Sequence, residues 1–246
     1  MKHEAIIKIE NLEKVYKSEN ASEYTLILSD VNLEINATDF VVIYGASGSG
    51  KSTLIHHIVG LELPTKGKIL VRGTDITKLN PEQRAIFRAE KFGMVYQSSY
   101  WSKSLSVWEN VAMPLLIDGF SWSNAHDGAI KALKEVGMAA YANKTPLHLS
   151  GGEQQRIGIA RALVNNPWII IADEPTGNLD SKNADDVIKL FKKLNQENHR
   201  TVIMVTHNLS YLPLATKTIA IKDGKVISSG EKVVKEQIRR ELKEVL

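Results

Sequence analysis

Apolar positions in this chain fall into short runs with two different rhythms. Ile6–Ile9 and Leu33–Ile35 alternate with polar residues, and so predict antiparallel edge strands with one wet face. Phe40–Tyr44 is continuously apolar, as is Trp168–Ala172, and Thr201–Val205 is nearly so; strands buried on both faces of a parallel sheet read this way. Lys68–Val71 and Gly93–Tyr96 read as further strands. Between them, the spacing predicts helices over Lys51–Val59, Asn80–Glu90, Val107–Leu116, Ser123–Val136, Glu153–Val164 and Ala184–Asn195. Pro81 sits in the first turn of the second helix, where its missing N–H costs nothing. Ile219–Lys222 and Lys225–Ser228 flank Asp223-Gly224, which predicts a hairpin through a type I′ turn.

Alternation of strands and helices predicts an α/β fold, a mostly parallel sheet with helices on both faces and an antiparallel β edge. Residues from about Ser98 to Gly152 are the most helical, and read as a subdomain inserted between two α/β blocks. Ser18–Tyr24 is polar and reads as a surface loop. In Glu231–Leu246, residues Val234, Ile238, Leu242 and Val245 share one helical face. That face packs on the domain's own surface, or it binds a partner or a membrane surface.

Composition narrows the class. The 246 residues are 43% hydrophobic and 24% charged, which excludes a disordered chain, collagen and a long coiled coil. A net charge of +3 is too small to argue by itself for nucleic acid or anionic lipid. With no cysteine there are no disulfides, no thiolate chemistry and no Cys-based zinc site. Apolar runs such as Ile169–Ala172 are far short of a membrane span, and the N-terminus has no signal-peptide pattern. The chain reads as cytosolic, so a membrane role requires a separate partner chain.

Three stretches carry chemistry. Gly45-Ala46-Ser47-Gly48-Ser49-Gly50-Lys51-Ser52-Thr53 fits the P-loop pattern, after a buried strand and at the start of a helix. Glycines let successive N–H groups face one anion, and the helix N-terminus adds positive charge. Lys51 reaches the β- and γ-phosphates of ATP, and the Ser52 hydroxyl ligates Mg²⁺. Asp173-Glu174 ends a buried strand; Asp173 would hold Mg²⁺, and Glu174, pointing elsewhere, would polarise the attacking water.

Leu149-Ser150-Gly151-Gly152-Glu153-Gln154-Gln155 is the third. Ser150 and Glu153 fit a capping box, so the stretch is readable as a good helix start. Its two glycines cost helix stability and bring no packing, and close approach of backbone to an anion is a common reason for such glycines. This second anion site has no second lysine. It could serve the γ-phosphate of a nucleotide held by another copy of the chain.

Taken in order, the P-loop, Gln97, Leu149–Gln155, Asp173-Glu174, Asn178-Leu179-Asp180 and His207 make the chain resemble the ATP-binding subunit of ABC transporters over about residues 5–230. The resemblance implies a P-loop ATPase core in one domain spanning residues 1–246, with a helical subdomain at about residues 98–152. It implies that Ser150 and Gly152 contact the γ-phosphate across a head-to-tail dimer that encloses two ATP. It implies that Tyr16 stacks on adenine, Gln97 links Mg²⁺ and water to a membrane partner, His207 contacts the γ-phosphate and Asp180 reaches across the dimer. The partners implied are a second copy and a separate transmembrane permease, with no nucleic acid, and a place at the cytoplasmic face of the cell membrane.

Asp173-Glu-Pro-Thr-Gly-Asn-Leu-Asp-Ser181, and Val95-Tyr-Gln97 followed by Val107-Trp-Glu-Asn-Val-Ala-Met-Pro114, resemble the subgroup for lipoprotein release, macrolide-type export, antimicrobial-peptide export and division-associated complexes. Ser98-Ser-Tyr-Trp-Ser-Lys103 departs from it, being more aromatic and polar; Tyr100 and Trp101 either anchor the partner or are buried in the helical subdomain. A soluble ABC ATPase acting on DNA or ribosomes fits less well. No sustained heptads separate Lys51 from Ser150, and only one ATPase half is present. A small-molecule kinase would leave Leu149–Gln155 and His207 without roles.

Overall fold

The computed structural model describes residues 5–17, 24–98 and 100–231. Among these, backbone proximity separates two units: one runs to Arg88 and resumes at Thr201, the other spans Ala89–Arg200.

In the first unit, β1 (Ala5–Lys17) and β2 (Tyr24–Asn36) pair antiparallel, and β1 also pairs with β4 (Lys66–Val71), which meets the two-residue β5 (Thr74–Asp75). Both long strands extend well beyond the alternating segments that predicted them. The β1–β2 register shifts between Ile9 and Leu12, where Asn11 and Asp30 adopt left-handed backbone. Asn11 Nδ2 donates to Asp30 Oδ1 at 3.1 Å, and Asn32 Oδ1 accepts the Asn11 N–H at 2.9 Å, so side chains satisfy the bulge.

Strand β3 (Phe40–Tyr44) is buried at every position and leads through the glycine-rich loop into α1 (Lys51–Ile58). It pairs parallel with β8 (Thr201–Val205), likewise wholly buried, and with β9 (Lys217–Lys222). Burial on both faces is the reason these runs are apolar without alternation. Strand β10 (Lys225–Glu231) closes an antiparallel hairpin with β9. Its turn residues Asp223 and Gly224 both have positive φ, as a type I′ turn requires.

Helix α2 (Pro81–Lys91) runs across the boundary into the second unit. There β6 (Phe92–Val95) and β7 (Ile169–Asp173) pair parallel. Helices α3 (Val107–Ile117), α4 (Trp122–Glu135) and α5 (Gly151–Leu163) pack on one another, and α5 also meets α6 (Ser181–Gln196). The α/β class, with parallel pairs and a separate antiparallel sheet, is the one the sequence predicts. The helix read over 231–246 and the loop read over 18–24 lie almost wholly outside the described residues; Tyr24 itself begins β2.

Candidate functional site

In the first unit the loop after β3 is built to present N–H groups. Gly50, the N-cap of α1, has φ 101°, a conformation that costs a side-chain-bearing residue dearly. No side chain caps α1 and no acidic residue lies in its first turn, so its positive end stays available to an anion. Lys51 is 8% exposed, and its ammonium donates to the carbonyls of Gly45 at 2.8 Å and Ala46 at 2.7 Å. The loop thus holds its cation folded inward. Ser49 Oγ is buried and unpartnered within the described residues, a polar atom that a ligand oxygen would satisfy. Ala46, Ser47, Gly48 and Ser52 are exposed, and Thr53 is half-buried. The loop is also braced from behind: Gly224 N donates to Ser49 O at 3.0 Å, and a Cβ on Gly45 would lie 2.1 Å from Ile221 O.

Two more predicted residues belong to this unit. His207 follows β8 and is exposed, while the preceding Thr206 N–H donates to Ile43 O at 3.1 Å. Tyr16 is 39% exposed at the end of β1. Its hydroxyl donates to Glu62 Oε2 at 2.5 Å, and the Lys14 ammonium stands 4.7 Å from its ring centroid. Burial and the Glu62 carboxylate push the phenol up to about 12, and the hydrogen bond from Tyr16 is the first cause holding Glu62 below its ordinary value. Glu62 is a neighbour that sequence reasoning missed.

The second unit carries the other predicted residues. Strand β7 delivers Asp173 at its end, and Glu174 follows with φ 47°. A left-handed glutamate is strained, as backbone held at a functional turn often is. The next turn closes with Gly177 N donating to Glu174 O at 3.1 Å. Gln97, just beyond β6, reaches this turn: its Nε2 donates to Asn178 Oδ1 at 3.1 Å, and a Cβ on Gly177 would come within 2.7 Å of the same Nε2.

Ser150 caps α5 as predicted. Its hydroxyl accepts the Glu153 N–H, and Glu153 Oε2 accepts from the Ser150 N–H at 2.8 Å. The Ser150 N–H is the first cause of the lowered Glu153 carboxyl, and the Ser150 hydroxyl, donating to the same Oε2 at 2.8 Å, the second. The structure corrects one reading here. Gly152 does have a packing reason: a Cβ there would lie 2.3 Å from Asn183 Oδ1, and one on Gly151 would lie 3.3 Å from Leu179 Cδ2. Asp180 caps α6, accepting the Asn183 N–H at 2.9 Å, and these bonds hold its carboxyl below the usual range.

Tyr100 and Trp101 part company. Tyr100 is 77% exposed, so burial does not account for it. Trp101 is half-buried; its indole N–H donates to Gln154 Oε1 at 2.9 Å and Arg161 stacks 4.7 Å from its ring.

The oxygen donors present in each unit are of the kind that suits magnesium carried by a nucleotide. Among the described residues no cluster of three or more His, Asp or Glu could hold a metal alone. The Ser52 hydroxyl in the first unit and the Asp173 carboxylate in the second are each the type of oxygen donor that Mg²⁺ takes beside phosphate oxygens and its own water.

A family model described as "ABC transporter" matches residues 28–177. The chain is 43% identical over 226 residues to the lipoprotein-releasing system ATP-binding protein LolD of Wigglesworthia glossinidia brevipalpis, covering 92% of this chain and 98% of that one. It is 41% identical over 222 residues to an uncharacterized ABC transporter ATP-binding protein of Methanocaldococcus jannaschii, covering 90% and 98%. Among solved structures, the ATP-binding cassette MJ0796, in a dimeric post-hydrolysis state bound to ADP and Pi, superposes with TM-score 0.82 at 38% identity over 92% of this chain and 98% of that one. CbiO1 of Clostridium perfringens, part of the ABC transporter complex cbiONQ, gives 0.83 at 28% identity over 98% and 96%.

Proposed function

This chain belongs to the ABC transporter family as an ATP-binding subunit with ATPase activity, and from that premise we propose that it drives a membrane complex of the lipoprotein-release type by hydrolysing ATP between two copies of itself. The observation that carries the reading is the glycine loop with Lys51 folded onto its own carbonyls at 2.8 and 2.7 Å. A buried ammonium on backbone carbonyls exchanges readily for phosphate oxygens, which carry full charge.

In this reading the N–H groups of Gly45–Thr53 cradle the phosphates and Lys51 turns outward to the β- and γ-oxygens. Tyr16 stacks on adenine. Ser52 and Asp173, with Gln97, would hold Mg²⁺, which supplies charge neutralisation at the β- and γ-phosphates when bound. Glu174 accepts a hydrogen bond from the attacking water and takes its proton. The water oxygen bonds to the γ-phosphorus as the bond to the β–γ bridging oxygen breaks, leaving ADP and phosphate; His207 contacts the γ-phosphate. Ser150, Gly151 and Gly152 of the second copy close over that phosphate, and Asp180 reaches across the same boundary. Loss of the γ-phosphate removes the bridge, and the dimer opens.

The 246 residues act as one ATP-binding domain, with about 98–152 as its helical subdomain. In this reading the exposed Tyr100 is offered to a separate transmembrane permease, with the subunit working at the cytoplasmic face of the membrane. Among the described residues no helix is long and apolar enough to cross a membrane. The partner's helices convert dimer closure and opening into extraction or export of cargo.

Glu174→Gln tests the chemistry. The variant should bind ATP as the wild type does, hydrolyse it at least about 100-fold more slowly, and accumulate as an ATP-bound dimer on gel filtration. Turnover near the wild-type rate would refute the role of Glu174.

A further inference from the structure

We propose that Asn183 is a positioning residue that locks the Ser150–Gly152 helix start to the Asp180 loop, so that both are offered to a second copy of the chain as one preformed surface. The inference rests on the preceding reading that Ser150–Gly152 and Asp180 act across the dimer.

The side chain of Asn183 has two ends, and each is engaged. Its Nδ2 donates to Asp180 Oδ2 at 2.6 Å while its backbone N–H donates to Asp180 Oδ1 at 2.9 Å. The Asp180 carboxylate is therefore held by both of its oxygens, in one orientation. The other end of the amide lies on Gly152, where an added Cβ would fall 2.3 Å from Oδ1, 2.6 Å from Cγ and 2.9 Å from the Asn183 Cβ. A flexible tip could swing aside; this amide cannot without giving up Asp180. Leu179 closes against Gly151 from the same loop, leaving 3.3 Å for a Cβ. Behind these contacts Arg156 of α5 donates to Asp186 Oδ2 of α6 at 3.1 Å, tying the two helices one turn further in.

Two helix starts are thus braced against each other inside one unit. A surface that must meet ATP and a partner copy together benefits from being fixed beforehand, because ordering it at the moment of association would weaken the dimer. Asn183 is none of the residues assigned to the nucleotide or to the reacting atoms, so its removal should spare nucleotide binding by the monomer.

The test uses the full chain carrying Glu174→Gln, in which ATP-bound dimers accumulate. Asn183→Ala and the near-isosteric Asn183→Leu are added separately, with Ser150→Arg as the control. Dimer formation is followed by light scattering against protein concentration at saturating ATP. Monomer affinity is read with a fluorescent ATP analogue, and folding by thermal melting. The expected result is a dimer midpoint shifted at least tenfold upward in both Asn183 variants, with nucleotide affinity within twofold. If the midpoint stays within twofold while Ser150→Arg abolishes dimers, Asn183 has no positioning role and the cross-dimer reading stands. If nucleotide affinity falls in parallel with dimerisation, the residue is merely structural and the proposal fails. If Ser150→Arg also dimerises normally, the reading beneath the proposal fails with it.

Discussion

Tyr16 carries a hydroxyl whose acidity its surroundings have altered. Burial is the larger cause and the Glu62 carboxylate the smaller, and together they push the phenol up to about 12 from an ordinary 10.0. A raised phenol value means the folded state holds its proton more tightly. The stabilisation is therefore whole below pH 10 and is lost as pH rises through about 12. Absorbance titration of the wild type minus Tyr16→Phe should show one ionisation near pH 12, and Glu62→Gln should lower it only part of the way, since burial remains. An ionisation at the ordinary value would refute the environment described. The aromatic itself is visible in the sequence by its place before the P-loop. Its partner is not, because Glu62 stands 46 positions away in a stretch with no motif. Asn183 escaped notice for the same reason: nothing in the order of residues announces that its amide lies on Gly152.

Elements follow the chain's periodicity wherever burial is one-sided or complete. The wholly buried β3 and β8 and the capped α5 sit where the apolar runs and the Ser150–Glu153 spacing predict them. A second capping box, Ser106 with Glu109, starts α3 in the same manner. What escapes is structure whose cause lies elsewhere in space. The outer part of β2 from Tyr24 to Leu26 is exposed and keeps no alternation, and only its pairing with β1 makes it a strand. The two-residue β5 exists only as the partner of Leu70 and Val71.

Gly93 of β6 is another such case. A Cβ there would sit 2.2 Å from Ala162 O of α5 and 3.0 Å from Pro167 Cγ, so strand and helix meet backbone to side of backbone. Neither the Ala162 carbonyl nor the Pro167 ring is a flexible tip. Gly93→Ala should cost about 1–3 kcal/mol and lower the melting temperature by several degrees. Gly230→Ala, at an open position of β10 with nothing within 4 Å of the added Cβ, is the control and should leave melting unchanged or slightly raised. Equal melting of the two variants would show that β6 and α5 can move apart freely.

Across the whole molecule, function is legible in the order of motifs more than in bulk properties. A charge of +3 and average composition fit many proteins, whereas a P-loop, a capped Ser-Gly-Gly helix start and an Asp-Glu strand end in sequence fit few. Bulk properties gave no hint, either, that the loop holding Lys51 depends on residues far along the chain. Strand β9 pairs with β3 directly, and the turn after it donates from Gly224 N to Ser49 O at 3.0 Å. Gly224 is pressed on its other side against β2, where its Cβ would lie 2.1 Å from Ile27 O, and Ser29 N donates to Gly224 O at 2.9 Å. A chain cut after Thr216 keeps every residue assigned to ATP yet loses this brace, and should fail to retain a fluorescent ATP analogue that the full chain holds. Retention by the shortened chain would show that the loop stands alone. The same wiring sets a timetable during synthesis. A ribosome exposes the glycine loop at Ser49 long before its brace at Gly224, so a growing chain cannot draw on cellular ATP as a stabilising ligand until the β9–β10 turn has emerged.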